Sequence, residues 1–179
     1  VFRLPPAHFA TFERGRLTVA PYWQPAFVEG EPRFAALRDE FRALLRDAVR
    51  RQITGDRTAC FLSGGTDSST IAGVVGEVSG RPAATYSIGF DAAGYDEMAY
   101  ARIAAKHFGT EHHEYYITPD DLVAHIPQVA AHYDQPFGNS SALPAYLCQR
   151  RAREEGFTRM LAGDGGDELF GGNSRYAKQ

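Results

Sequence analysis

Between residues 31 and 55 the apolar positions recur at helical spacing. Phe34, Leu37, Phe41, Leu44, Leu45, Ala48 and Val49 form one stripe, with Arg and Asp between them. The spacing predicts a long amphipathic helix ending near Thr54-Gly55, with Gly55 as its C-terminal cap and its arginines on a solvated face. Downstream the pattern alternates. Short apolar runs predict strands at 58–62, 83–90, 112–117 and 159–162. Helical periods predict helices at 67–79, 96–108, 119–133 and 141–155, with Gly109 as a stop signal and Pro119 in a first turn. Strand–helix alternation of this kind builds an α/β fold: a parallel sheet with helices on both faces. In such sheets ligands bind beyond the carboxyl ends of the strands.

Residues 1–30 break this rhythm. Phe9-Ala10-Thr11-Phe12 and Leu17-Thr18-Val19 flank Glu13-Arg14-Gly15-Arg16, which reads as a small hairpin with Trp23 packed under it. Pro5, Pro6, Pro21 and Pro25 around it suggest a linker or the tail of a neighbouring domain. The chain runs from Val1 to Gln179, just past a glycine-rich motif, and is expected to be a fragment of a longer protein.

Composition narrows the class. Of 179 residues, 44% are hydrophobic and 23% charged, as in ordinary globular proteins. The net charge of −3 gives no basic footprint, which argues against a nucleic-acid partner. No apolar run approaches membrane-spanning length, so no membrane partner is expected. Cys60 and Cys148 lie in apolar contexts without metal spacing, and a reduced, cytoplasmic protein is the simplest expectation. His112 and His113 are adjacent in a strand, so they face opposite ways and cannot share one ion. Tyr115, Tyr116 and Tyr133 read as core or rim aromatics.

Two glycine–carboxylate motifs carry the chemistry. The first, Ser63-Gly64-Gly65-Thr66-Asp67-Ser68-Ser69, stands between a strand and a helix. Such a turn directs backbone N–H groups and a helix N-terminus at one spot, where a phosphate sits well. No Gly-Lys-Ser/Thr follows, and the three-glycine dinucleotide fingerprint is absent. Asp67 beside phosphates would be repulsive without a cation, so it predicts a bridging Mg²⁺. The bland alternative is a helix start whose Asp and Ser cap its own amides. The second motif, 161–172, follows the last strand and holds five glycines with Asp164, Asp167 and Glu168. A divalent metal would relieve the repulsion among those carboxylates.

These two motifs, with the Tyr86-Ser87-Ile88-Gly89-Phe90 strand, Tyr95-Asp96-Glu97 and Asp134-x-Pro136 ahead of Ser140-Ser141, resemble the synthetase domain of glutamine-hydrolysing asparagine synthetases along residues 31–179. The resemblance implies a Rossmann-like adenine nucleotide alpha hydrolase (ATP pyrophosphatase) fold with a pyrophosphate-binding loop. ATP would lie across the strand ends. Ser63, Gly64, Gly65, Asp67, Ser68 and Ser69 would hold its pyrophosphate portion, and Leu62, Ile88, Ala162 and Gly163 would line the adenosine pocket. Asp67 and Asp167 would ligate Mg²⁺. A small carboxylate, aspartate by default, would attack the α-phosphorus to give an acyl-adenylate, and ammonia would then displace AMP. Asp164 stands where the family commonly carries Glu, a group that could assist proton transfer from ammonia. Residues 1–30 would be the end of a glutaminase-like domain that supplies ammonia in the parent protein, and a homodimer is an open assembly. The family's later Lys-bearing segment has no clear counterpart here, with Lys178 close to the end. A non-catalytic nucleotide-binding or assembly module is the alternative. A tRNA-modifying relative is disfavoured, for lack of a basic patch or reactive Cys pair.

Overall fold

A computed structural model describes residues 2–26, 30, 33–53, 55, 57–90, 97–134, 138–139 and 141–172. The chain divides into two compact units, residues 1–38 and 39–179. The first contains an antiparallel hairpin of β1 (His8–Glu13) and β2 (Arg16–Pro21), in register from His8↔Pro21 to Glu13↔Arg16. Trp23 does not pack under it as expected: it is 61% exposed, and Phe12 and Leu17 are exposed too. A two-stranded ribbon lacks the second layer that would bury them.

Helix α1 (Phe34–Gln52) begins in the first unit and runs into the second. It stops two residues before Thr54, so Gly55 does not cap it; the left-handed Gly55 (φ 77°) lies in the connection to the sheet. The second unit then alternates β3 (Thr58–Phe61), α2 (Thr66–Ser79), β4 (Ala84–Phe90), α3 (Met98–Phe108), β5 (Glu111–Ile117), α4 (Pro119–His132), α5 (Ala142–Glu154), β6 (Arg159–Leu161) and α6 (Gly166–Phe170). The short α6 was not expected, because glycine hides a five-residue helix from any periodicity test. Tyr95-Asp96, Pro136 and Ser140 lie outside the described residues, as do Arg175 and Lys178.

The four central strands are parallel, in the order β5-β4-β3-β6. Cys60 of β3 is the partner of Thr85 on one side and of Leu161 on the other. The chain leaves β3 toward β4 and β5, and returns to pair β6 on the opposite edge. Strand order therefore reverses between β3 and β6, and the crevice beyond their carboxyl ends is where α/β sheets bind ligands.

The alternation of the strands sorts the core onto two faces. On one, Ala59, Ala84 and Tyr86 pack against Cys148 and Ala152 of α5. On the other, Cys60 meets Val49 of α1 and Val75 of α2, while Leu62 meets Ala72 of α2 and Met98 and Ala101 of α3. Small residues on α3 (Ala101, Ala104, Ala105) let it lie close to its neighbours.

Helix α5 is pinned at its C-terminal end by one carboxylate. Glu155 accepts hydrogen bonds from the Tyr86 hydroxyl (2.6 Å) and the Tyr115 hydroxyl, and His113 Nδ1 lies 3.0 Å away. The two phenol donors hold the Glu155 carboxyl below its usual range. Burial, helped by Glu155, pushes Tyr115 up to about 12. His113 stacks on the Tyr86 ring at 4.5 Å. His112 turns the other way, with Nδ1 2.9 Å from the Thr85 hydroxyl, and burial lowers its pKa. The two histidines thus occupy opposite faces, as strand geometry requires.

Candidate functional site at the carboxyl ends of the strands

Leu62 follows directly on β3. Its N–H donates to the Tyr86 carbonyl (2.9 Å), and the buried Ser87 hydroxyl donates to its carbonyl. The chain then turns sharply at Gly64. That residue has φ 84°, and a Cβ on it would overlap the backbone of Tyr100 and Ala101. Only glycine therefore lets the turn sit against the first turn of α3.

The serines stitch the turn together. The Ser68 hydroxyl accepts from Ser63 N–H (3.1 Å) and lies 3.0 Å from the Ser63 hydroxyl, which accepts from Gly65 N–H (3.3 Å). Gly65 is the N-cap of α2, and no side chain caps that helix. Asp67 therefore does not fill the capping role of the bland alternative, whereas Ser63 and Ser68 do bind the turn's own backbone. The Ser69 hydroxyl is buried without a hydrogen-bond partner. An orphaned donor of this kind costs free energy unless a ligand completes it.

The second loop comes up beside the first. Gly166 N–H donates to the Gly163 carbonyl (3.3 Å), closing a turn with Asp164 and Gly165 at its tip. Gly165 has φ 98° and ψ −11°, which side-chain-bearing residues avoid. Asp164 is exposed at that tip. A Cβ on Gly163 would stand 2.7 Å from Asp67 Cβ and 2.8 Å from its carbonyl carbon. The two sequence motifs, nearly a hundred residues apart, are thus in van der Waals contact through Asp67. Asp167 sits one residue into α6, and Phe170 at the end of α6 meets Phe41 of α1 edge-on at 5.4 Å. Among the described residues, no group of three or more His, Cys, Asp or Glu is arranged to hold a metal ion.

A cavity of about 260 Å³ opens on the β3–β4 side of the turn. Leu62, Ser63 and Ile88 line it; Ala162 and Gly163 are not among its lining residues. Other parts of its wall come from the sheet, from Glu97 and Met98 at the start of α3, and from Ser141, Pro144, Ala145 and Cys148 of α5 and its N-terminus. Glu97 and Ser141 belong to the two short motifs noted in the sequence. Cys148 reads in sequence as a plain core residue, and its 3% exposure agrees, yet it also forms part of the cavity wall. Burial pushes both thiols up to about 12.

Comparison with known proteins agrees with this geometry. Residues 40–179 match the family model described as asparagine synthase. A Methanocaldococcus jannaschii protein provisionally named asparagine synthetase [glutamine-hydrolyzing] 2 is 43% identical over 138 residues, covering 76% of this chain and 26% of that protein. Asparagine synthetase [glutamine-hydrolyzing] 1 of Bacillus subtilis is 32% identical over 174 residues, covering 96% of this chain and 27% of its own length. The chain thus spans about a quarter of the length of these relatives. Among solved structures, an NMN synthetase from Francisella tularensis superposes with a TM-score of 0.53 at 18% identity, covering 75% of this chain and 57% of that one. The NH3-dependent NAD synthetase of Campylobacter jejuni gives 0.51 at 13% identity, covering 77% and 62%. Both are similar in fold.

Proposed function

This chain belongs to the asparagine synthase family, and from that premise we propose that it forms the ATP-using half of a synthetase that converts a carboxylate into an amide. The observation that carries the reading is the packing of Asp67 against Gly163, which joins two glycine–carboxylate loops at the switch point of a parallel sheet. A 260 Å³ cavity is near the lower end for small-molecule sites, suited to a nucleoside portion while the phosphates extend over the Ser63 turn.

The roles follow from the chemistry of each position. Leu62 and Ile88 offer an apolar wall to the base, with Ala162 and Gly163 beyond the turn. The uncapped N-terminus of α2 with Ser63, Gly64, Gly65, Ser68 and Ser69 holds pyrophosphate oxygens, and the orphaned Ser69 hydroxyl gains a partner there. Asp67 and Asp167 are the ligands for Mg²⁺, which supplies charge neutralisation at the phosphates. The bare space that glycine leaves beside each carboxylate fits this assignment. A substrate carboxylate, aspartate by default, attacks the α-phosphorus of ATP. The bond to pyrophosphate breaks, and ammonia then displaces AMP from the acyl-adenylate. Asp164, exposed at the tip of its turn, takes a proton from that nitrogen in this reading, with less reach than a Glu would have. Most of the acceleration then comes from holding reactants in line and neutralising charge. In the complete protein, glutamine is the expected ammonia source.

The test is pyrophosphate release by the full-length protein with a panel of carboxylates, aspartate first, with ammonia or glutamine. Stoichiometric pyrophosphate and amide with one carboxylate supports the proposal. ATP binding without turnover on any of them would favour a non-catalytic nucleotide-binding module instead.

A further inference from the structure

The five glycines of the 163–172 loop fall into two sets. Gly165 and Gly171 have positive φ, and a Cβ on either would point into open space. Gly163, Gly166 and Gly172 lack positive φ, so conformation does not demand glycine there. What excludes a side chain at these three is room, and in each case an aspartate takes that room.

A Cβ on Gly166 would overlap Asp67 Oδ2, and would stand 2.6 Å from Asp67 Cγ and 2.9 Å from Oδ1. A Cβ on Gly172 would overlap Asp167 Oδ1 and stand 3.1 Å from Cγ. Each carboxylate therefore rests on the bare Cα of a loop glycine. Gly163 is different in kind: its Cβ would meet Asp67 Cβ and the backbone at the Asp67 carbonyl carbon and Ser68 N. Gly163 sets how closely the two loops approach, while Gly166 and Gly172 set where two carboxylates point.

We infer that Gly166 and Gly172 are positioning residues that seat the Asp67 and Asp167 carboxylates for a shared divalent cation, a role that rests on the magnesium reading above. The two seats and the Gly163 contact differ in what they tolerate. A methyl at 166 meets only the far end of a short side chain, which can swing away about its own torsions while the backbone stays put. A methyl at 172 likewise meets Asp167 Oδ1 first, with the Asp167 Cα at an ordinary 3.4 Å. A methyl at 163 meets backbone, which cannot swing aside. Gly166→Ala and Gly163→Ala, three residues apart, thus separate a loss of carboxylate orientation from a loss of loop packing. Orientation of ligands by their surroundings commonly changes metal affinity by about ten- to a hundredfold.

The experiment titrates Mg²⁺ in the presence of ATP into the wild-type chain and the Gly166→Ala, Gly172→Ala, Gly163→Ala and Asp67→Asn variants. Melting temperature and the side-chain carboxyl ¹³C shifts of Asp67 and Asp167 are recorded on the metal-free proteins. The expected result is a loss of Mg²⁺ affinity of about tenfold or more for Gly166→Ala and Gly172→Ala at nearly unchanged melting temperature. The carboxyl shift should move at Asp67 in the first variant and at Asp167 in the second. Gly166→Ala combined with Asp67→Asn should lose no more affinity than Asp67→Asn alone, because both act through one carboxylate. Gly163→Ala should instead lower the melting temperature. Wild-type affinity and unmoved carboxyl shifts in Gly166→Ala, with Asp67→Asn impaired, would overturn the seating while leaving the magnesium site standing. Absence of Mg²⁺ binding by the wild-type chain would overturn the magnesium reading and with it the seating role.

Discussion

Gly64 and Leu62 show how much is asked of single residues at this site. Gly64 combines a left-handed backbone with contact against the first turn of α3. Gly64→Ala should destabilise the fold by at least about 2 kcal/mol, since the left-handed region alone costs about 1–2 kcal/mol and the clash adds to it; thermal or urea unfolding checks this. The chemistry of Leu62 is only packing: it is 2% exposed, joins α2 and α3 to the sheet, and presents a wall to the cavity. The cysteines give a further expectation. Burial holds both thiols near 12, so a thiol reagent at pH 8 should label neither in the folded chain and both after denaturation. Rapid labelling of native Cys148 would mean that the cavity wall opens. At this scale the sequence was partly legible. The turn of Asp67 and its serines between a strand and a helix could be read from residue type and order. Cys148 did not, because a cavity wall and a core share the same residue types. Nor could the sequence tell which glycines serve conformation and which serve room.

Elements were legible wherever a period or a stop signal was strong. Pro119 marks the start of α4, and the structure adds a capping box at Thr118: Thr118 Oγ1 accepts from Asp121 N–H (3.2 Å), and Asp121 accepts from Thr118 N–H (2.9 Å). Thr118→Ala should therefore cost about 1 kcal/mol, seen as a lower melting temperature with unchanged nucleotide binding. The ends of α1 and the whole of α6 were less legible. Gly55 looked like a cap because it follows a helical stripe, yet α1 stops at Gln52. Helix α6 is five residues long with no buried position, its Phe170 touching only the edge of Phe41, so it offered no apolar period to read. The Glu155 clamp was invisible in sequence, because Tyr86, His113, Tyr115 and Glu155 converge only once α5 lies on the sheet. Its carboxyl is held below the usual Glu value of about 4.3. The clamp's contribution is thus fully present above that value and lost as pH falls through the lower, folded-state pKa. Replacing Tyr86 and Tyr115 by Phe should raise the Glu155 pKa back toward the ordinary Glu value and flatten the acid limb of stability below it, read by thermal melts at falling pH.

At the scale of the molecule, strand order decides where chemistry can happen. The parallel sheet with helices on both faces could be read from strand–helix alternation, but not the order β5-β4-β3-β6. That order makes neighbours of the ends of β3 and β6, so that Gly163 lies against Asp67 across nearly a hundred residues of chain. The curated relatives show the same family logic, and this chain spans about a quarter of their length. The proposed role requires the chain to hold ATP together with a divalent cation at Asp67 and Asp167, and calorimetric titration of ATP into the chain with and without Mg²⁺ measures that directly. Saturable binding that strengthens with Mg²⁺, and that weakens at least about tenfold in Asp67→Asn and Asp167→Asn without a change in melting temperature, is the expected result. Binding indifferent to Mg²⁺ and to both substitutions, or no binding at all, would contradict it.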